Sequence, residues 1–300
     1  SIYYGSVNGI AEKYHFDITE EYEELKNENW FYKNLGDLFT IDMYVDSDSE
    51  SESETEETES EPDYICLIKD IPVQLFFIEK LEGTLEDFLK KDLDVLLMLS
   101  AFFQIAFALQ FLQKKFKFTH NDLHINNIMY KKTDKEFLYY KFNNLYFKVP
   151  TYGYLFKIID FGRAIFTYQN KLFFNDTFNK HGEAEGQYTY PVRHLLFTNN
   201  KEDIIVPNYN FDLCRLAITI IDVLKIEEYD DTNIFMDFIK SITKDINGNY
   251  LYELNDDFNM YIEIAKYSNN AKPSEIIQNS IFKIFRVKKK NFPKKTYYTA

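Results

Sequence analysis

The twenty residues from Leu93 to Leu112, LDVLLMLSAFFQIAFALQFL, constrain the fold more than any other stretch. A helix built from them carries apolar side chains on every side and must be covered all round, by lipid or by protein. Its length approaches that of a membrane span. Asp94, Ser100, Gln104 and Gln110 interrupt it, which favours a central helix buried inside a soluble domain. Three hundred residues at 45% hydrophobic content are enough to build that cover.

The chain before this helix has a different period. SIYYGSVNGIAEKYHF alternates apolar and polar positions around two glycines and reads as strand or hairpin. DITEEYEELKNENWFYKNL reads as helix, with Asp17 as its cap and Glu20 three residues on. YICLIKD and VQLFFIE read as two short strands parted by Asp70 to Pro72. Thr84 then caps a helix in EGTLEDFLKK. FLYYKFNNLYFKV, residues 137–149, is a hairpin pattern with Asn143 and Asn144 at the turn. LFKIIDFGRAIF is a buried strand running into a glycine, and the segments from Phe211 onward read as helices. A small β-rich part followed by a mainly helical one is an α+β organisation.

Nine of the net fourteen negative charges lie in residues 46–61, DSDSESESETEETESE, which contain no basic side chain. A like-charged block without apolar residues is expected to be a solvated loop. Ser47, Ser49, Ser51, Ser53, Thr58 and Ser60 each have an acidic residue three positions on, so the same run also fits a phosphoacceptor segment. The remaining charge is nearly balanced, with no broad basic face to support nucleic-acid binding; the terminal RVKKKNFPKK reads as a solvated tail. Cys66 and Cys214 are far apart and show no metal spacing, and the chain opens without a signal-like segment. The expected setting is cytoplasmic, with no membrane contact.

Chemistry concentrates in FTHNDLHINNIMY, residues 118–130. His120 and His124 have the spacing of two ligands on one helical face, but no glutamate and no third ligand complete a zinc shell. Asp122 and Asn127 are oxygen donors of the kind magnesium prefers. His120, Asp122, Leu123 and Asn127 together fit H-x-D-L-x-x-x-N, and Asp160, Phe161 and Gly162 supply D-F-G after an apolar strand. Each motif alone is weak; the two in this order are specific.

On these residues the chain resembles the eukaryotic protein kinase superfamily, and within it haspin-like kinases and kinase-like proteins of large DNA viruses, which share H-x-D-L-H-x-x-N and an insertion before D-F-G. Here the insertion runs over 131–154 and sets Asn127 and Asp160 33 residues apart. The resemblance covers residues 64 to 226. It implies a two-lobed fold: an abridged β-rich N-lobe over 1–79, read as incomplete, holding the acidic loop 46–62, and a mainly helical C-lobe over 80–300.

The resemblance also implies roles. Asp122 would be the catalytic base with His124 beside it. Asn127 and Asp160 would hold Mg2+ on the phosphates of ATP. His120, Phe161, Gly162 and Asp212 would support the loop structurally. Ile78 falls at the gatekeeper position, with Glu79 to Leu81 offering backbone groups to adenine. Lys13, in IAEK, echoes the phosphate-binding lysine, with Glu24 as its helix partner. The implied activity is serine/threonine phosphorylation of a protein substrate, and a viral origin would place it in host cytoplasm or virion.

Several features depart from the family. No G-x-G-x-x-G occurs, Asn121 replaces the arginine of H-R-D, and QYTYPV at 187–192 stands where A-P-E belongs. Without that arginine, control through a phosphorylated activation loop is not expected. Two alternatives stay open: a kinase-like binding or scaffold protein that has lost efficient ATP use, and a small-molecule kinase of the aminoglycoside or choline type, which shares the histidine at position 124.

Overall fold

The computed structural model describes residues 2–44, 62–91, 94–191, 205–226, 233–254 and 258–300. The acidic run, its serines and threonines, and Val192 of QYTYPV lie outside them. Several small sheets alternate with helices, a mixed architecture compatible with a kinase-like fold. Internal contacts divide the chain into two units, Ile2–Glu79 and Lys80–Ala300.

In the first unit a 15-residue strand, β1 (Tyr3–Asp17), is followed by two short helices, α1 (Tyr22–Leu25) and α2 (Asn29–Asn34), then β2 (Phe39–Tyr44) and β3 (Asp63–Ile78). The sheet order is β1-β3-β2, antiparallel throughout. The opening segment, read as strand or hairpin, is one strand. Two sequence expectations are corrected here. The helical segment breaks in two, and Asp17 ends β1, its Oδ1 accepting from Thr19 N at 3.0 Å in a local turn that competes with a helix cap. β3 runs straight through Asp70–Pro72 as one strand. Pro72 is tolerated because β2 pairs only with Asp63–Ile68, so at Pro72 the strand has a neighbour on one side alone. Asp70 takes a left-handed φ of +54 within the strand. A small core of Ile18, Phe31 and Cys66 holds this unit.

The second unit opens with β4 (Gly83–Thr84) and α3 (Leu85–Leu89), capped reciprocally: Thr84 Oγ1 accepts from Asp87 N, and Asp87 Oδ2 accepts from Thr84 N. The apolar stretch forms α4 (Val95–Phe116), started by Asp94, whose Oδ1 accepts from Leu96 N at 3.0 Å, and ended by Lys117 at φ +48. It is long and apolar enough to cross a bilayer, yet here neighbouring elements bury most of it. Phe103 is fully buried among Phe107, Tyr140, Phe147, Phe282 and Phe285.

The polar residues that interrupt α4 act as clips. Ser100 Oγ donates to Pro150 O. The Gln104 amide donates to Tyr154 O and accepts from Phe156 N, both at 3.3 Å. Gln113 Nε2 donates to Tyr209 O at 3.1 Å. Each satisfies backbone groups of the strands and loop laid over the helix.

After α4 come β5 (Ile128–Lys132), the hairpin β6 (Phe137–Phe142) and β7 (Leu145–Pro150), and β8 (Tyr154–Ile158). The hairpin turns at Asn143, φ +52, as the Asn-Asn pair predicts. β9 (Phe166–Tyr168) and β10 (Lys171–Phe173) form a ribbon. Helices α5 (Phe211–Ile226), α6 (Ile234–Ile242), α7 (Phe258–Tyr267) and α8 (Pro273–Ile276) follow, and β11 (Tyr298–Thr299) pairs with β6. β5 is central in the sheet β4-β5-β8, and that pairing builds the site.

Candidate functional site

The loop between α4 and β5 carries His120, Asp122, His124 and Asn127. Antiparallel pairing of Ile128 with Ile158 brings the end of β8 alongside its last turn, and Ile159 N donates to Asn127 O at 3.0 Å. Asp160 therefore follows directly beside Asn127, although 33 residues separate them in the chain. The insertion is the β6–β7 hairpin with its flanking strands, and it leaves this register intact.

Asp160 adopts φ +56, and its Oδ1 accepts from Gly162 N at 3.2 Å. A left-handed backbone costs about 1–3 kcal/mol in most side chains, least in Asp and Asn, whose short polar groups bond locally. His120 Nε2 lies 2.8 Å from Ile159 O, and Phe161 packs edge-on to Phe118 and tilted on His120. His120 is thus engaged with the D-F-G turn, its ring fully buried. Among the described residues no group of three or more His, Cys, Asp or Glu side chains is placed to hold a metal.

Asn127 is buried. Its Nδ2 donates to Asp122 O at 2.9 Å and meets His124 Nε2 at 3.0 Å. With the amino end so engaged, Oδ1 is the group left to bind something else. Burial pushes the His124 pKa down; Arg215 and His120 add to this, while Asp122 and Asp160 oppose it. A neutral ring accepts through one nitrogen, at Nε2 from Asn127 or at Nδ1 from Asn126 N, 3.3 Å away.

Below the loop, Asp212 opens α5, fully buried. His120 N donates to both its carboxylate oxygens, at 3.1 and 2.9 Å, and Asn121 N donates to Oδ1 at 2.9 Å. Burial pushes the Asp212 carboxyl up, and His120 together with these two N–H groups pulls it back. Asn121 uses every polar atom it has: Nδ2 donates to Arg163 O at 2.9 Å, Oδ1 accepts from Tyr188 OH at 2.9 Å, and its carbonyl accepts from Gln187 Nε2 at 3.3 Å. It also sits at φ +65, a conformation arginine rarely adopts. The residue in the arginine's place thus ties the segments on either side of the β9–β10 ribbon to the loop by neutral hydrogen bonds.

Asp122 itself is partly exposed. Its Oδ1 accepts from Tyr261 OH of α7 at 2.9 Å, and Arg163 Nη1 stands 3.6 Å from the same oxygen. Sequence reasoning missed both partners. Arg163 had a signal, since it directly follows D-F-G; Tyr261, 139 residues downstream, had none.

Leu81 is buried at the start of this unit, and its backbone N–H and C=O make no hydrogen bond among the described residues. Glu82 N donates to Tyr130 O at 2.9 Å, anchoring this segment to β5; a Cβ at Gly83 would sit 3.0 Å from the Tyr130 ring. The other residues expected to contact nucleotide lie in Ile2–Glu79. Ile78 ends β3 exposed, and Glu79 N donates to Ile2 O at 2.7 Å. Lys13 is exposed on β1 opposite Lys69, Glu24 is exposed on α1, and no ion pair joins the two among the described residues.

This arrangement, with an oxygen-donor pair beside a partly exposed aspartate, is compatible with a kinase-like site, and comparison with known proteins points the same way. The chain is 26% identical over 167 residues to "Serine/threonine-protein kinase haspin homolog" of Drosophila melanogaster, covering 51% of this chain and 30% of that protein. It is 31% identical over 199 residues to "Putative serine/threonine-protein kinase R301" of Acanthamoeba polyphaga mimivirus, covering 61% of this chain and 46% of that protein. The chain thus spans less than half the length of either relative. No family model matches it.

Proposed function

We propose that the protein is an ATP- and Mg2+-dependent phosphotransferase, a serine/threonine protein kinase by class, moving the γ-phosphoryl group of ATP to a protein hydroxyl. One observation carries the reading: β5–β8 pairing sets Asn127 and Asp160 side by side, with Asp122 held to Asn127 through its own carbonyl. Kinase-named relatives support it.

The donor set fits magnesium. Asn127 Oδ1 and the Asp160 carboxylate are hard oxygens, and two protein ligands suit a cation that keeps water and phosphate in its remaining positions. Bound there, Mg2+ neutralises charge on the phosphate oxygens. Asp122 receives the hydrogen bond of the acceptor hydroxyl. As that oxygen bonds to the γ-phosphorus, the bond to the β–γ bridging oxygen breaks, ADP leaves, and Asp122 takes the proton. Leu81 offers its N–H and C=O to the adenine edge.

A second reading, a kinase-like binding protein with impaired turnover, is favoured by the exposure of Lys13 and Glu24 and the lack of an ion pair between them. Incubating the full-length protein with γ-labelled ATP, Mg2+ and a degenerate serine/threonine peptide library separates the two. Labelled phosphoserine or phosphothreonine that disappears with Asp122→Asn supports the enzyme. Stabilisation by ATP without label in any acceptor supports the binding protein.

A further inference from the structure

We propose that Tyr261 is a positioning residue for Asp122, fixing which carboxylate oxygen meets the acceptor hydroxyl; the assignment rests on the phosphotransferase reading. A carboxylate on a short side chain has a broad, roughly two-fold torsion, so either oxygen can turn toward an acceptor. Here Oδ1 is bound from behind by Tyr261 OH at 2.9 Å, with Arg163 Nη1 at 3.6 Å reinforcing the same oxygen. Oδ2 is then the oxygen presented for the proton.

The tyrosine is itself held. Its ring stacks on Phe258 at 5.6 Å and 14°, meets Phe211 at 5.9 Å, and has the Arg215 guanidinium 4.8 Å from its centroid. Neighbouring Met260 and Ile264 are buried and seat α7 in the core. The hydroxyl is the ring's one polar atom; it donates to the aspartate and also meets the Arg215 side chain. Burial raises the Tyr261 pKa, Arg215 opposes this and Asp122 adds to it, so the group stays a donor at neutral pH. A base aimed by a clamped ring satisfies the near-attack geometry that intramolecular positioning needs, where small displacements cost large factors in rate.

The test is steady-state kinetics of the full-length protein as wild type, Tyr261→Phe, Asp122→Asn and the double variant, with 4-aminophenylalanine at position 261 as rescue. Tyr261→Phe keeps the packing and removes the donor. The expected result is a fall in kcat of about 10- to 100-fold with the KM for ATP unchanged. It includes no further fall when Tyr261→Phe is added to Asp122→Asn, and recovery with the amino analogue, whose N–H donates from the same place. Should Tyr261→Phe fold poorly, 4-fluorophenylalanine against 4-aminophenylalanine makes the same comparison. An unchanged kcat, or the same loss on both backgrounds, overturns the positioning role alone. A wild type without turnover overturns the phosphotransferase reading and this assignment with it.

Discussion

Replacing Asp212 by Asn removes one charge and almost no volume, which makes it a clean probe of how the loop is held. The carboxylate receives two backbone N–H groups, His120 bridging both oxygens and Asn121 bonding Oδ1. In Asp212→Asn one oxygen remains to accept, and the new amino group faces the His120 N–H, donor against donor. Hydrogen bonds to a charged acceptor are worth ~1.5–3 kcal/mol against ~0.5–1.5 for neutral ones, so losing the charge at two donors costs about 2–3 kcal/mol before burial is counted. Burial works the other way, since a neutral side chain no longer bears the desolvation that pushes the Asp212 carboxyl up. About 2 kcal/mol is therefore the net figure, against about 4 for Asp212→Ala, which strands both N–H groups and leaves a void. In a domain of this size 2 kcal/mol lowers Tm by roughly 4–8 °C, readable by urea or thermal unfolding. An Asp212→Asn protein with wild-type Tm would show that the loop is not held from this residue.

Two further predictions follow from the same geometry. Asn121→Ala loses its side-chain bonds to Arg163 O and Tyr188 OH in a fully buried place and puts alanine at φ +65, so stability drops by about 2–3 kcal/mol and limited proteolysis cuts sooner between 163 and 188. Wild-type protease resistance would remove Asn121 as the tie. Thr84→Ala costs about 1 kcal/mol at pH 7 through the lost cap. The Thr84 backbone N–H, and after it the hydroxyl, hold the Asp87 carboxyl below its ordinary value of 3.8; alanine keeps the first and loses the second, so the hydroxyl's share of the deficit is present above pH 3.8 and lost as pH falls through the lower folded value, while the Oγ1 cap on Asp87 N does not titrate. A deficit that stayed constant down to pH 2 would contradict that linkage.

Local chemistry was legible where one short segment decides the outcome. The Thr84 cap, the buried helix through Leu112 and the Asn143 turn each depend on residues a few positions apart. The spacing from Asp122 to Asn127 and the D-F-G at Asp160 named the candidate site, but their convergence comes from β5–β8 register, a non-local pairing. What stayed hidden follows the same rule. Pro72 reads as a strand break until one knows that β2 stops at its partner Ile68. Gln104 reads as an argument against lipid, while its amide is bonded to Tyr154 and Phe156. Tyr261 reaches Asp122 only because α7 folds back under the loop, and no spacing encodes that.

The central claim is that Asp160 and Asn127 serve phosphoryl transfer, and the most direct measurement is the Mg2+-dependent rate of γ-phosphate transfer by full-length wild type beside Asp160→Ala. Asp160→Ala loses the hydrogen bond from Gly162 N and puts alanine at φ +56, so some loss of Tm is expected, and the rates are compared at a temperature where both proteins are folded. The account predicts Mg2+-dependent turnover in the wild type and a loss of about 10³-fold in the variant. Equal rates in the two proteins, or no Mg2+ dependence in the wild type, would contradict it.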